Sequence, residues 1–238
     1  MLDAMAWALL GASSLLIGAG LASLVSISRQ VLGFVLAFGA GVLISAVAYE
    51  LVEEAAGFGA AAGVVAGSFA LGALVFAAGD IVIEQRLKGG GAQPGGLGIV
   101  LGAVLDGIPE SVVIGASLIN EDSASIAVVV AVFLSNVPEA VAASSDLLRE
   151  GWSRGRVFLM WVIVVAASTI AAGIGYAALK DASGAWISSI QAFSAGAILT
   201  MLADEMIPEA FEYTDHNKTV GVALAFGFAV SAALSFRT

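Results

Sequence analysis

The sequence predicts an all-α polytopic membrane protein that crosses the bilayer eight times, and three observations carry that reading. The 238-residue chain is 60% hydrophobic and 12% charged, about half the charged share of a soluble domain. Its mean hydropathy is +1.01. Apolar stretches long enough to cross roughly 30 Å of hydrocarbon recur eight times, parted by short polar or glycine-rich breaks.

In order, the spans are expected at about 4–27, 31–53, 62–84, 97–119, 124–147, 157–179, 184–207 and 218–236. Ser26–Arg29 separates the first pair and Gly57–Gly63 the second. The run Lys88-Gly89-Gly90-Gly91-Ala92-Gln93-Pro94-Gly95-Gly96 is a flexible linker by composition. Residues 86–96 therefore read as a loop that divides three spans from five within a single domain, 1–238. Asn120–Ser123, Arg149–Arg156, Lys180–Gly184 and Pro208–Lys218 supply the remaining breaks. Asp3 and the lack of an early basic cluster argue against a cleaved signal peptide.

If the spans alternate, Arg29, Arg86, Lys88, Arg149, Arg154, Arg156 and Lys218 share one side, against Lys180 and Arg237 on the other. Basic loops stay in the cytoplasm. Both termini are then expected outside and the 86–96 loop inside, in a cytoplasmic (inner) membrane.

Composition also excludes functions. A net charge of −10 offers no basic face for nucleic acid. The absence of cysteine excludes disulfides and thiolate metal sites. His216, the one histidine, sits in the polar run Glu212–Lys218 and reads as solvated. Without a thiol, an intramembrane histidine or a Gly-x-Ser-x-Gly elbow, nucleophilic catalysis is hard to assemble. An aspartyl pair is the one enzymatic option left, and no enzyme is expected.

An internal repeat is visible. The segment from Phe38 through Ala40-Gly41, Ala48 and Glu50 to Glu54-Ala55 matches Phe193, Ala195-Gly196, Ala203, Glu205 and Glu209-Ala210 without a gap. Five spans separate the copies, so they run oppositely across the bilayer, in a 3+2+3 arrangement. Inverted repeats of this kind mark transporters with a site near the midplane.

Two stretches carry the chemistry: Asp106-Gly107-Ile108-Pro109-Glu110 and Ser135-Asn136-Val137-Pro138-Glu139. A carboxylate at the centre of a bilayer helix costs roughly 2.5–3.5 kcal/mol on the lenient insertion scale. Asp106 and Glu110 share a helical face, as do Asn136 and Glu139. Pro109 and Pro138 each free a carbonyl four residues earlier, at Leu105 and Leu134. The two helices could gather three carboxylates, an amide and the Ser135 hydroxyl around one cation, a set suited to hard or borderline divalent ions. The residues alone leave open protonated, hydrogen-bonded carboxyls or a proton relay instead. Glu50, Glu53 and Glu54 could gather cations at the outer end of span two. Asp204, Glu205 and Glu209 could form a release path, and Asp80 and Glu84 read as interfacial.

These motifs resemble the Zrt-, Irt-like protein (ZIP) family of divalent metal transporters, over essentially the whole chain. Phe38-Gly39-Ala40-Gly41-Val42-Leu43 is similar to the family's second-span motif, and Phe193 to Ile207-Pro208-Glu209 to its seventh. Ile108-Pro109-Glu110 and Asn136-Val137-Pro138-Glu139 are the most specific matches. The resemblance implies a metal site at Asp106, Glu110, Ser135 and Glu139, with Asn136 alongside, and no cofactor besides the transported ion. It implies a homodimer in the lipid bilayer, and a bundle of spans one, four, five and six that moves against spans two, three, seven and eight. The family usually has histidine where Asp106, Ser135 and Glu50 stand, asparagine at Gly107, and a glutamate-proline pair near Ser168-Thr169. An all-oxygen site for a single ion is therefore expected, with preference moved from zinc or cadmium towards manganese, iron or magnesium. A cation channel, or a sensor or structural protein that no longer transports, are the alternatives.

Overall fold

The computed structural model describes residues 1–89, 96–119 and 126–236. Most of the 86–96 linker and the break after Asn120 lie outside the described residues. Among the described residues the chain forms helical rods: α1 Leu2–Leu24, α2 Arg29–Gly57, α3 Ala62–Gly89, α4 Gly96–Ser117, α5 Ile126–Arg149, α6 Arg154–Leu179, α7 Gly184–Tyr213 and α8 Val220–Ser235. Six are long and apolar enough to cross a membrane: α1, α2, the Ala62–Ile83 part of α3, α5, α6 and α7. Serines open several of them. Ser28 accepts from Val31 N at 3.4 Å and Ser153 from Arg156 N at 3.3 Å, satisfying donors that have no partner within the helix.

Two helices run past their expected ends. α2 continues to Gly57 and α7 to Tyr213, so Pro208 is not the break that the sequence suggests. Each helix widens into a π turn, Val47–Val52 in α2 and Leu202–Met206 in α7. The π turn already interrupts the four-residue ladder just before Pro208. The missing proline N–H therefore costs little, and the helix carries on.

Large and small side chains are sorted as lipid requires. On α1, Ala4, Ala8, Gly11, Ala12, Gly18 and Ala19 are buried while Leu9, Leu10 and Ile17 are exposed. Lipid tails solvate leucine as well as a neighbouring helix does, so interior contacts select for small residues and close approach. α1 packs on α5 and α6, α4 on α6 and α7, α2 on α5 and α8, and α3 on α7. The fully buried Trp161 of α6 donates its indole N–H to Ser144 Oγ of α5 at 2.8 Å. The proline-bearing helices α4 and α5 thus lie inside, and α3 lies outermost, with 11% of its span buried.

Four glycines set the closest contacts. A Cβ on Gly41 would collide with the Leu224 carbonyl of α8, and one on Gly227 with the Phe38 carbonyl of α2. Gly196 and Gly72 do the same between α7 and α3, against the carbonyls of Phe69 and Phe193. Each pair of helices touches backbone to backbone, twice. Such contacts allow Cα–H···O bonds that a side chain would block.

Gly41→Ala is therefore expected to destabilise the fold by about 1–3 kcal/mol through overpacking. Gly67 of α3 has nothing within 4 Å of its Cβ position. Gly67→Ala should stabilise by about 0.5–1 kcal/mol, the usual helix-propensity gain. Thermal unfolding of the two detergent-purified variants beside the parent protein gives both signs.

Candidate metal site

Glu110 of α4 and Glu139 of α5 meet at a small cavity in the middle of the bundle. Gly107 and Ser111 of α4, Asn136 of α5 and Ser168 of α6 line it with them, and Ala8, Ala12 and Leu15 of α1 close it. Its volume is about 10 Å³, room for about one water. Both proline motifs sit within unbroken helix. Proline is tolerated there because neighbouring helices, hydroxyls and waters can satisfy the freed carbonyls.

The polar atoms are buried and incompletely partnered. Asp106, Glu110 and Asn136 are 7%, 4% and 3% exposed. The Asn136 side chain is a hydrogen-bond partner of the Glu110 carboxyl. Asp106 Oδ1, Glu110 Oε1 and Asn136 Oδ1 nonetheless have no partner. A buried oxygen without a donor costs free energy of order 1–3 kcal/mol, more if charged. Two of these acceptors, on Glu110 and Asn136, belong to residues that line the cavity, and the third, on Asp106, lies one turn along α4.

The five residues singled out from the sequence separate into two groups. Glu110, Asn136 and Glu139 line the cavity together. Asp106 lies outside its wall, one turn along α4, within electrostatic range of Glu110 and Glu139 and also of Asp80 on α3 and Glu205 on α7. Ser135 faces elsewhere. It is fully buried, its hydroxyl donates to Val132 O at 3.0 Å, and its Cα lies 3.4 Å from where a Cβ on Gly39 of α2 would be. One residue along a helix turns a side chain by about 100°, so Asn136 reaches the cavity and Ser135 reaches α2. Among the described residues, no three acidic or imidazole side chains converge closely enough to enclose a metal ion.

Ser168 is the lining residue that the motifs do not point to. Ser111 Oγ donates to Gly107 O at 2.5 Å and Thr169 Oγ1 to Val165 O at 2.7 Å, so both hydroxyls are held by their own helices. Ser168 Oγ instead points across to α4, 2.7 Å from the position of a Cβ on Gly107. That contact explains a glycine at position 107, because a side chain there would displace the Ser168 hydroxyl. A serine in an apolar span is too common to be found by reading alone.

A profile of the family described as ZIP zinc transporter matches residues 82–235, from the end of α3 through α8. That stretch contains every candidate ligand. Comparison with curated proteins returns no match.

Gly107→Ala is expected to lower stability by about 1–2 kcal/mol through its clash with Ser168 Oγ. Combining it with Ser168→Ala should recover most of that loss, giving a coupling of at least about 0.5 kcal/mol in a thermal-unfolding double-mutant cycle. Additive effects would place the Ser168 hydroxyl away from Gly107.

Proposed function

The chain belongs to the ZIP zinc transporter family, and from that premise we propose that it carries divalent cations across a cytoplasmic membrane by alternating access, with Glu110 and Glu139 holding the ion. Members of this family transport divalent metals and are not enzymes. The observation that carries the reading is the cavity where Glu110, Glu139 and Asn136 meet, with buried oxygens that lack donors. A divalent ion supplies the positive charge those oxygens lack. It replaces two separate burial penalties by one neutralised centre.

The ligand set we propose is Glu110, Glu139 and the Asn136 amide oxygen, with Asp106 joining from one turn away. Ser135 stays with the α2 contact in this conformation. Oxygen donors without imidazole or thiolate favour manganese, iron or magnesium over zinc and cadmium more than a histidine site would. We take α4 and α8 as crossing the membrane too, with Arg29, Arg149, Arg154, Arg156 and Lys218 at the cytoplasmic end and both termini outside.

Alternating access needs two halves that can exchange roles, and the helix boundaries support an inverted repeat. The α-helical parts of α2 and α7 run Arg29–Ala46 and Gly184–Met201, and 184 − 29 and 201 − 46 both equal 155. Their N-caps Ser28 and Ser183, and the starts of their π turns at Val47 and Leu202, keep the same offset (183 − 28 and 202 − 47, again 155). The glycine contacts follow as well: Gly41 on Leu224 corresponds to Gly196 on Phe69, and Gly227 on Phe38 to Gly72 on Phe193. The packing suits a bundle of α1, α4, α5 and α6 that moves against α2, α3, α7 and α8.

Uptake into proteoliposomes tests the proposal. Manganese, iron, zinc, cadmium and magnesium are each expected to be screened for saturable flux into vesicles loaded with a metal-sensitive dye. Glu110→Gln or Glu139→Gln should lower flux at least tenfold while the variant still elutes as the parent does, and Ser135→Ala should stay within about twofold. Ohmic, non-saturating current would indicate a channel, and no flux of any of these ions would refute transport.

A further inference from the structure

At the end of the bundle that carries Arg29 and Arg149, side chains from three helices are tied together. The Tyr213 hydroxyl at the end of α7 donates to Asp146 Oδ2 on α5. Arg149 holds the other oxygen, with Nη1 donating to Asp146 Oδ1 at 2.8 Å, and its Nη2 reaches the Ile27 carbonyl in the α1–α2 turn at 3.4 Å. The Arg29 guanidinium of α2 stands 5.3 Å from the centroid of the Tyr213 ring. The last turn of α7 lies close on α2, because a Cβ on Gly33 would come within 2.6 Å of Thr214 Cγ2 and 2.7 Å of Ala210 O. Tyr213 is 5% exposed, whereas the side chains of Asp146 and Arg149 are 26% and 43% exposed. Water thus reaches one side of the contact and not the other.

These residues stand in line with the cavity. Asp146 follows Glu139 by seven residues (146 − 139), two helical turns along the same face of α5. Across from it, Glu209 precedes Tyr213 by four residues (213 − 209) on α7 and lies within electrostatic range of it. Glu209 is in turn within electrostatic range of Glu139. A cation that left Glu139 towards this end would meet Glu209 and then the Tyr213–Asp146 contact. That contact joins α5 of one group of helices to α7 of the other.

We propose that the Tyr213–Asp146 hydrogen bond, steadied by Arg149 and Arg29, is the gate that closes the arginine-bearing end of the ion route. The proposal rests on the reading that a cation passes between Glu139 and this end of the bundle. A divalent ion arriving at Glu209 and Asp146 competes for the same carboxylate oxygens that hold the tyrosine and the arginine. Its arrival releases the phenol, and α5 is then free to part from α7. With no ion present the hydrogen bond re-forms and the end closes, so ion release and water access are coupled through one carboxylate. A donor to a carboxylate is among the stronger hydrogen bonds. Its loss should shift a closed-to-open ratio by about tenfold.

The chain contains no cysteine, so single reporters can be placed without removing native thiols. Ala142 of α5 is 1% exposed and lies between Glu139 and Asp146. Met206 of α7 is 5% exposed and packs beside Gly39 and, through it, Pro138. Ala142→Cys and Met206→Cys would each be labelled with a water-soluble maleimide in purified full-length protein without metal, alone and combined with Tyr213→Phe or Asp146→Asn. We expect labelling at one or both reporters to rise about tenfold in both gate variants, with elution profiles unchanged. Labelling within twofold of the parent at both reporters, in variants that elute as folded protein, would overturn the proposal. So would faster labelling in Asp146→Asn with none in Tyr213→Phe, since the phenol would then hold nothing shut. The readout needs no transported ion: failure of metal uptake in the parent would refute the transport reading while leaving the labelling result to decide the gate.

Discussion

Carboxylates in the middle of two buried apolar helices are the constraint around which this molecule is arranged. Carboxylates are costly on an apolar face, and α1, α2, α6 and α7 pack around the helices α4 and α5 that carry Glu110 and Glu139. Their oxygens need positive charge or donors, and the Asn136 amide supplies part of that need. The remainder stays open on Asp106, Glu110 and Asn136. At roughly 2.5–3.5 kcal/mol for each carboxylate, the open remainder is comparable to a large fraction of a domain's net stability.

The surrounding frame is made of backbone contacts more than of side-chain interlock. Gly41, Gly72, Gly196 and Gly227 let α2 meet α8 and α7 meet α3 at carbonyl distance. These pairs involve the helices outside the carboxylate-bearing core. Inside it, Gly18 and Gly115 bring α1 onto α5 and α4 onto α6, and a tryptophan–serine hydrogen bond holds α6 to α5 around the alanines and serines that border the cavity. The π turns at Val47–Val52 and Leu202–Met206 follow Phe38–Gly41 and Phe193–Gly196, the segments that make the frame's glycine contacts.

Much of this was legible in the residues, and the remainder was hidden for identifiable reasons. Apolar stretches of about 20 residues name their own helices, because a helix of that length spans lipid with its backbone satisfied within itself, whereas a barrel strand is about half as long. Asp106, Glu110 and Glu139 stand out because charge is rare there, and the family profile covers the same stretch. Helix ends were less clear. Pro208 looks like a terminator until the π turn before it is known, and that turn has no sequence signature. Ser135 and Asn136 are adjacent and equally polar, and only the rotation of α5 sends one to α2 and the other to the cavity. Ser168 is one serine among many until Gly107 is placed opposite it. Asp146 and Tyr213 lie 67 residues apart, and each reads as an interfacial residue on its own. Contacts between distant helix ends leave no local pattern.

Equilibrium metal binding to the purified protein tests the central claim most directly, because it asks whether the buried oxygens are a ligand site before asking anything about movement. Titrating zinc, manganese, iron, cadmium and magnesium into the folded parent and into a Glu110→Ala, Glu139→Ala double variant would show it by calorimetry. The account predicts binding of about one equivalent of at least one of these ions by the parent, lost in the double variant, as expected when both charged ligands of a single site are removed. A folded parent protein that binds none of them, or a double variant that binds as the parent does, would contradict it.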